Sequence, residues 1–222
     1  MNNLTLIIPA KNEAESLPLV LEELVKHSYR FIIVLHKSDV DTIKSIEKYS
    51  SNIIFQNNSG YGDALISGIN QCKTELFCVF NADSSFNPSK ISKMLDKLKN
   101  QQLDFIFASR YEKNGGSDDD TLITLIGNYI FSLIGKLFFR LPISDILYTF
   151  LIGNTQKAKS LNLNQRDFCF CVELPIKARR KNMKIKLIES YERKRIAGLK
   201  KVNAFRDGYY ILKYMIRLFF SK

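Results

Sequence analysis

The sequence predicts an α/β fold built on a mainly parallel sheet, and three observations carry that prediction. Short apolar runs recur through residues 1–110, each run is continuous rather than alternating, and a segment of helical periodicity separates each from the next. A strand that is apolar at every position must be covered on both faces. That is the condition of a parallel sheet held between two layers of helices.

The elements follow in order. LTLII at 4–8 is the first strand, closed by Pro9, and Leu17, Val20, Leu21, Leu24 and Val25 form one stripe of the helix behind it. FIIVL at 31–35 is the second strand, 41–49 a helix and 53–55 a third strand. A helix over 63–72 places Leu65, Ile69 and Cys72 on one stripe, and LFCVF at 76–80 is the fourth strand. Asn87 caps a helix over 88–98 with Pro88 at its first position, where a missing N–H costs nothing. FIFA at 105–108 is the fifth strand. Ligands of such a fold belong beyond the carboxyl ends of the strands.

After Arg110 the pattern changes. Residues 112–121 are polar with two glycines and read as a mobile loop. Residues 122–142 are apolar but interrupted by Asn128, Lys136 and Arg140, which predicts a buried or interfacial helix pair rather than a membrane span. A helix over 168–183 and a last strand over 185–188 follow.

Composition excludes several classes. With 45% hydrophobic and 25% charged residues, ten Gly and five Pro, the 222-residue chain is globular, neither collagen-like nor low-complexity. Its net charge of +11 calls for an anionic partner. That charge is unevenly placed: residues 176–222 hold 15 Lys and Arg against three acids, while residues 1–175 sum to −1. No helix-turn-helix, zinc finger or aromatic RNA-binding motif accompanies the charge, so nucleic acid is not the expected partner. The four cysteines form no C-x-x-C pair and the two histidines are too few for a zinc cluster, so reduced core thiols are expected. No apolar secretion segment opens the chain, and a cytoplasmic location is expected. The tail DGYYILKYMIRLFF at 207–220 sets Lys213 and Arg217 four apart on one face. At roughly 1.5 Å per residue it is too short for an apolar core of about 30 Å. It fits the anionic face of a membrane and, nearly as well, a helix docked on the domain or in a homo-oligomer interface.

Four features sit at strand ends. Pro9-Ala10-Lys11-Asn12-Glu13 exposes backbone amides and sets a carboxylate at a helix entrance. Asn81-Ala82-Asp83 places an acid where a hard cation could be held against a diphosphate, or where a turn needs stabilising. Gly60-x-Gly62 admits either a ligand or close packing of the backbone. Arg110 in Ser109-Arg110-Tyr111 suits a phosphate or a salt bridge.

In this order the motifs IIPAKNEAESL at 7–17, SGYGDALISGI at 59–69, FNADSSFNP at 80–88, SRY at 109–111, SDILYTFL at 144–151, FCFCVELPIKA at 168–178 and ERKRIAGLKKVN at 192–203 resemble the family 2 glycosyltransferases of GT-A fold. The likeness is greatest to the polyprenyl-phosphate mannose and glucose synthase branch. The resemblance implies a single catalytic domain over 1–190, with a nucleotide-sugar half over 1–110 and an acceptor half over 111–190. A basic amphipathic segment over 191–222 follows. It implies transfer, with inversion, from a nucleotide-diphosphate sugar to a polyprenyl-phosphate or glycan acceptor in cell-envelope synthesis, at the cytoplasmic face of the membrane. Pro9, Ala10, Asn12, Glu13, His36, Gly62, Asn81, Ala82 and Asp83 are then the donor-binding positions. Asp83 is also a catalytic position, as the ligand for Mg²⁺ or Mn²⁺, and Asp145 is the candidate base if the acceptor is a sugar hydroxyl, a phosphate acceptor needing none. Arg110, Glu173, Arg193, Arg195 and Lys200 are expected to serve the acceptor and the phosphates. Two departures stand out. Leu35-His36 replaces the family's acidic pair, and Asn81 replaces the first acid of its D-x-D, so weaker metal binding is expected. A donor-binding relative without catalysis is the alternative reading.

Overall fold

A computed structural model describes residues 3–198 and 201–221. β1 (Leu4–Pro9), β2 (Arg30–Leu35), β3 (Ile53–Phe55), β4 (Leu76–Val79), β5 (Phe105–Ser109), β7 (Leu151–Asn154) and β8 (Ile185–Glu189) form one sheet in the order β3-β2-β1-β4-β7-β5-β8. All neighbours pair parallel except β7, which lies antiparallel between β4 and β5. A two-stranded parallel ribbon joins β6 (Gly116–Ser117) to β9 (Tyr191–Glu192).

The continuous apolar strands serve two cores. Leu6 and Ile8 pack against α1 (Leu17–Lys26) and α4 (Lys90–Asn100), while Ile7, between them, faces α3 (Tyr61–Gln71) on the other side. All three are fully buried, each stabilising the fold by about 1.5–3 kcal/mol. α2 (Val40–Ser45) is shorter than the predicted helix over 41–49, because the chain tightens into a 3-10 turn over Glu47–Asn52 before β3. α4 opens two residues after Pro88. The Asn87 side chain nonetheless takes the N–H of Ser89 at 3.0 Å, as a turn-forming Asn does. On the second face lie α6 (Thr155–Ser160), α7 (Phe170–Arg180) and α8 (Ala204–Phe220).

Two expectations change here. The apolar stretch over 122–142 is a single helix, α5 (Leu122–Phe139), not a pair. It is started by a Thr121–Thr124 capping box and stopped by Arg140 in the left-handed conformation. Nor is most of its apolar surface buried: the residues it buries are Asn128, Ser132 and Gly135, with Phe131, Ile134 and Phe139 partly buried beside them. The partners of Asn128 and Ser132 explain the inversion. Ser132 Oγ accepts from the Ile146 N–H at 3.0 Å, Asn128 Oδ1 accepts from the Leu147 N–H at 3.2 Å, and the Asn128 amide donates to Asp145. The predicted loop over 112–121 is tied down by the β6 pairing and by the Ser117 hydroxyl, which donates to Glu192 at 2.5 Å.

Candidate active site

β1 leads through α1 to one side of the sheet and β4 lies on its other side, so the crevice beyond their carboxyl ends is where the winding reverses. Both strand-end motifs face it. After β1, Asn12 takes a positive φ of 52°, which turns its N–H onto Asp39 Oδ2 at 2.7 Å. The Glu13 N–H donates to Thr42 Oγ1 at 3.0 Å, and the Glu13 carboxylate accepts from the Ser16 hydroxyl at 2.6 Å. A cleft of about 400 Å³ opens here, lined by Asn12, Glu13, Asp39, Asp41, Thr42 and Gly198 among others. Pro9 and Ala10, just before it, do not line the cleft; Ala10 continues the sheet, its N–H donating to Val34 O at 2.9 Å. His36 is exposed at the end of β2, with Nδ1 2.7 Å from Ser38 Oγ.

After β4 the chain turns at Ser84, whose φ is 69°. Asp83 Oδ1 accepts from the Ser85 N–H at 3.0 Å, and the Asn81 amide donates to Ser85 Oγ at 3.3 Å. The other Asp83 oxygen, Oδ2, faces the Arg195 guanidinium at 3.7 Å. Arg195 also makes a two-pronged pair with Asp119, the closest contact being 2.7 Å. The hydrogen bonds to Asp119 and the charges of Asp83 and Glu13 hold Arg195 above its ordinary range despite partial burial. The segment that carries it is stitched over the crevice. Arg193 N–H reaches Ser85 O at 2.9 Å, Ile196 N–H reaches Asp83 O at 3.1 Å, and Lys201 Nζ lies 3.3 Å from Glu13. Lys200, expected beside them, lies outside the described residues.

The other expected residues serve elsewhere. Asp145 is fully buried and accepts from Arg110 N–H at 2.9 Å, Nε at 2.8 Å and Nη2 at 2.9 Å, as well as from Asn128. No oxygen is left to take a substrate proton, so Asp145 positions Arg110 and α5 instead of acting as the expected base. Arg110 gives its remaining nitrogen to Glu192 at 2.9 Å and stacks on the Tyr148 ring at 4.6 Å, so it is not available to a phosphate. Burial opposes its charge, but the bonds and charges of Asp145 and Glu192 outweigh it and hold the guanidinium well above its ordinary range. Burial likewise pushes the Glu192 carboxyl up, against the pull of Arg110.

Glu173, expected on the acceptor side, is fully buried. It accepts from the Asn164 N–H at 3.1 Å, the Gln165 N–H at 2.9 Å, Lys177 Nζ at 2.7 Å and the Tyr214 hydroxyl at 3.2 Å, which ties α8 to α7. Arg193 is a strut, not a phosphate ligand. It pairs with Glu23 at 2.9 Å and donates to Ser84 O and Phe86 O. Gly62 is a packing residue. A Cβ there would stand 2.1 Å from Gln165 O, and Gly60, at φ 129°, would meet Arg166 O at 2.1 Å.

Asp39, Asp41 and Asp119 are crevice acids that the motifs did not single out. Asp39 sits two residues beyond Lys37 in the turn where the family's acidic pair is replaced, and that loss was the signal pointing to it. Asp119 lies in a run of three aspartates whose place is set only by its pairing with a residue 76 positions away.

This fold, with an acid at the end of β4 and a cationic strap above it, is the GT-A fold of glycosyltransferases. Residues 5–167 match the model of glycosyl transferase family 2, and the chain belongs to that family. It is 24% identical over 204 residues to an uncharacterised glycosyltransferase of Mycobacterium bovis, covering 92% of this chain and 91% of that one. It is also 29% identical over 108 residues to the undecaprenyl-phosphate 4-deoxy-4-formamido-L-arabinose transferase of Proteus mirabilis, 43% of this chain and 33% of that one. Among solved structures, glucosyl-3-phosphoglycerate synthase of Mycobacterium tuberculosis bound to UDP superposes with a TM-score of 0.76 at 11% identity, covering 98% of this chain and 80% of that one. Mannosyl-3-phosphoglycerate synthase of Rubrobacter xylanophilus superposes at 0.67 with 14% identity, covering 97% and 73%.

Proposed function

We propose that the protein transfers a sugar, with inversion, from a nucleotide-diphosphate sugar to an acceptor that is already anionic, a polyprenyl phosphate in cell-envelope synthesis being the case favoured. The carrying observation is Asp83. It lies at the switch point between β1 and β4, one oxygen fixed by the Ser85 N–H and the other turned to a cationic group.

The acceptor oxygen attacks the anomeric carbon as the bond to the diphosphate oxygen breaks on the opposite side, and the negative charge moves to the leaving diphosphate. Catalysis then needs the leaving group neutralised and the attacking oxygen aimed. Arg195 and Lys201 stand over the crevice, now held by Asp83, Asp119 and Glu13, and an arriving diphosphate competes for them. The donor set also fits a divalent cation that the donor's own phosphates complete. The Arg195 guanidinium beside Asp83 Oδ2 marks a cation position, with Asp83 the residue that would hold the ion; among the described residues no group of three or more His, Cys, Asp or Glu side chains could hold it without the phosphates. Such a cation would supply charge stabilisation to the diphosphate.

An anionic acceptor needs no strong base, which agrees with the commitment of Asp145 to Arg110. Similar proteins include one named for an undecaprenyl phosphate, and neighbouring folds are described with UDP, Mn²⁺ and phosphoglyceric acid. The test is thermal shift across UDP, GDP and dTDP sugars with and without Mn²⁺, followed by transfer assays with polyprenyl phosphate and with glycans. One donor is expected to stabilise the protein in a Mn²⁺-dependent way, and Asp83→Ala to remove both that dependence and transfer. Normal turnover by Asp83→Ala would overturn the proposal, and transfer only to a neutral glycan would overturn the acceptor.

A further inference from the structure

The outward faces of α5 and α8 remain unexplained by the crevice. α5 presents Leu122, Ile126, Tyr129, Ile130, Leu133 and Leu137 to solvent while Asn128 and Ser132 point inward. At 3.6 residues per turn its exposed apolar residues sweep more than half of the circumference. α8 packs beside it, Phe219 meeting the rings of Phe138 and Phe139 edge-on at 5.6 and 6.2 Å. α8 carries a second, outer stripe of Phe205, Tyr209, Leu212, Ile216 and Phe219, separate from the Ile211, Tyr214, Met215 and Leu218 stripe that it buries.

We infer that α5 and α8 together form one platform that lies in the surface of an anionic lipid bilayer. Charge favours lipid over a second copy of the chain. The exposed charges on these helices and at the end of α5 are Lys136, Arg140, Arg206, Lys213 and Arg217, and the sole acid in either helix, Asp207, is buried and bonded to Arg206 at 3.0 Å. Two such faces would set cation against cation, whereas an anionic surface complements them, with long basic side chains reaching back to the headgroups. Width argues the same way. A partner helix covers a narrow seam, and an apolar sweep beyond half the circumference is covered fully by a lipid phase.

α5 is also long and apolar enough to cross a membrane, at about 27 Å. The bonds of Asn128 and Ser132 to the 145–147 segment hold it along the domain, so it lies in the plane of the interface. Its first turn follows directly on Asp119 and Asp120, so the platform begins at the mouth of the crevice.

The full chain is expected to float with phosphatidylglycerol-containing vesicles, to be released by salt, and not to float with pure phosphatidylcholine vesicles. Ile126→Glu with Ile130→Glu, leaving α8 intact, is expected to lower the bound fraction at least about tenfold, and Ile216→Glu to do the same from α8. Circular dichroism and nucleotide-sugar thermal shift report that each variant is folded. Unchanged vesicle binding by the α5 variant, equal binding to neutral vesicles, or no binding by the unaltered chain overturns the inference. So does a dimer in light scattering that these substitutions dissociate. Donor binding is read separately, so failure here is distinct from failure of the transfer reaction.

Discussion

Two groups of buried acids lie at the strand ends, and they differ in how many of their oxygens are already used. Around Arg110, Asp145 accepts four bonds and Glu192 takes the guanidinium nitrogen that Asp145 leaves. In the crevice, Asp83 accepts one close bond and keeps its second oxygen 3.7 Å from a guanidinium on a strap. Both acids are buried, Asp145 fully and Asp83 almost so, and burial alone does not separate them. What separates them is commitment. A saturated carboxylate is framework, and an unsaturated one beside a displaceable cation can exchange that cation for a ligand.

Substitutions at the two groups should therefore fail in opposite ways. The largest effect is expected at Asp145. Asp145→Ala leaves the Arg110 guanidinium buried without its main partner and should cost about 3–5 kcal/mol of stability, read from the urea midpoint. A stable Asp145→Ala variant that has lost transfer would return Asp145 to the catalytic machinery. Next is Asp83→Asn, which should lower transfer by about 10²–10³ while the unfolding midpoint stays near that of the unaltered chain. Loss of stability there would make Asp83 framework too. Arg195→Ala should lower transfer about tenfold, the size of one charge-assisted contact, with little change in stability. An increase in activity would show that the guanidinium obstructs the crevice.

The smallest effect concerns a pair outside both groups. Lys90 lies 2.7 Å from Glu189, and its hydrogen bond holds the carboxyl below the ordinary value. A depressed carboxyl stabilises the folded state above its unfolded pKa and loses that contribution as pH falls through the folded one. Glu189 is partly exposed, so the pair contributes below about 1 kcal/mol. Glu189→Gln should accordingly flatten the acid limb of the stability curve slightly, seen as urea midpoints that vary less below pH ~4.5.

The legibility of the molecule divides along similar lines. β1 to β5 and the helices between them were readable because each signal is local: a continuous apolar run, a periodic stripe, a Pro after a cap. Asn12, Glu13 and Asp83 were readable as crevice residues because the topology of a parallel sheet carries whatever follows a strand to the same edge. β7 was not, because a four-residue run gains its place only by pairing antiparallel with β4 and β5. The inverted face of α5 was equally hidden, since its polar stripe is paired with a segment that the chain reaches only after the helix has ended.

By itself, then, the sequence determined the layered α/β architecture, the placing of four motifs at strand ends and the concentration of positive charge in the last fifth of the chain, all properties of neighbours along the chain. Tertiary structure decided which acids are committed and which surfaces are left bare. Asp145 depends on Arg110, 35 positions away, and Arg193 on Glu23, 170 positions away. Whether a carboxylate keeps an oxygen for a ligand is a count of partners, and partners that distant meet only when the chain has folded.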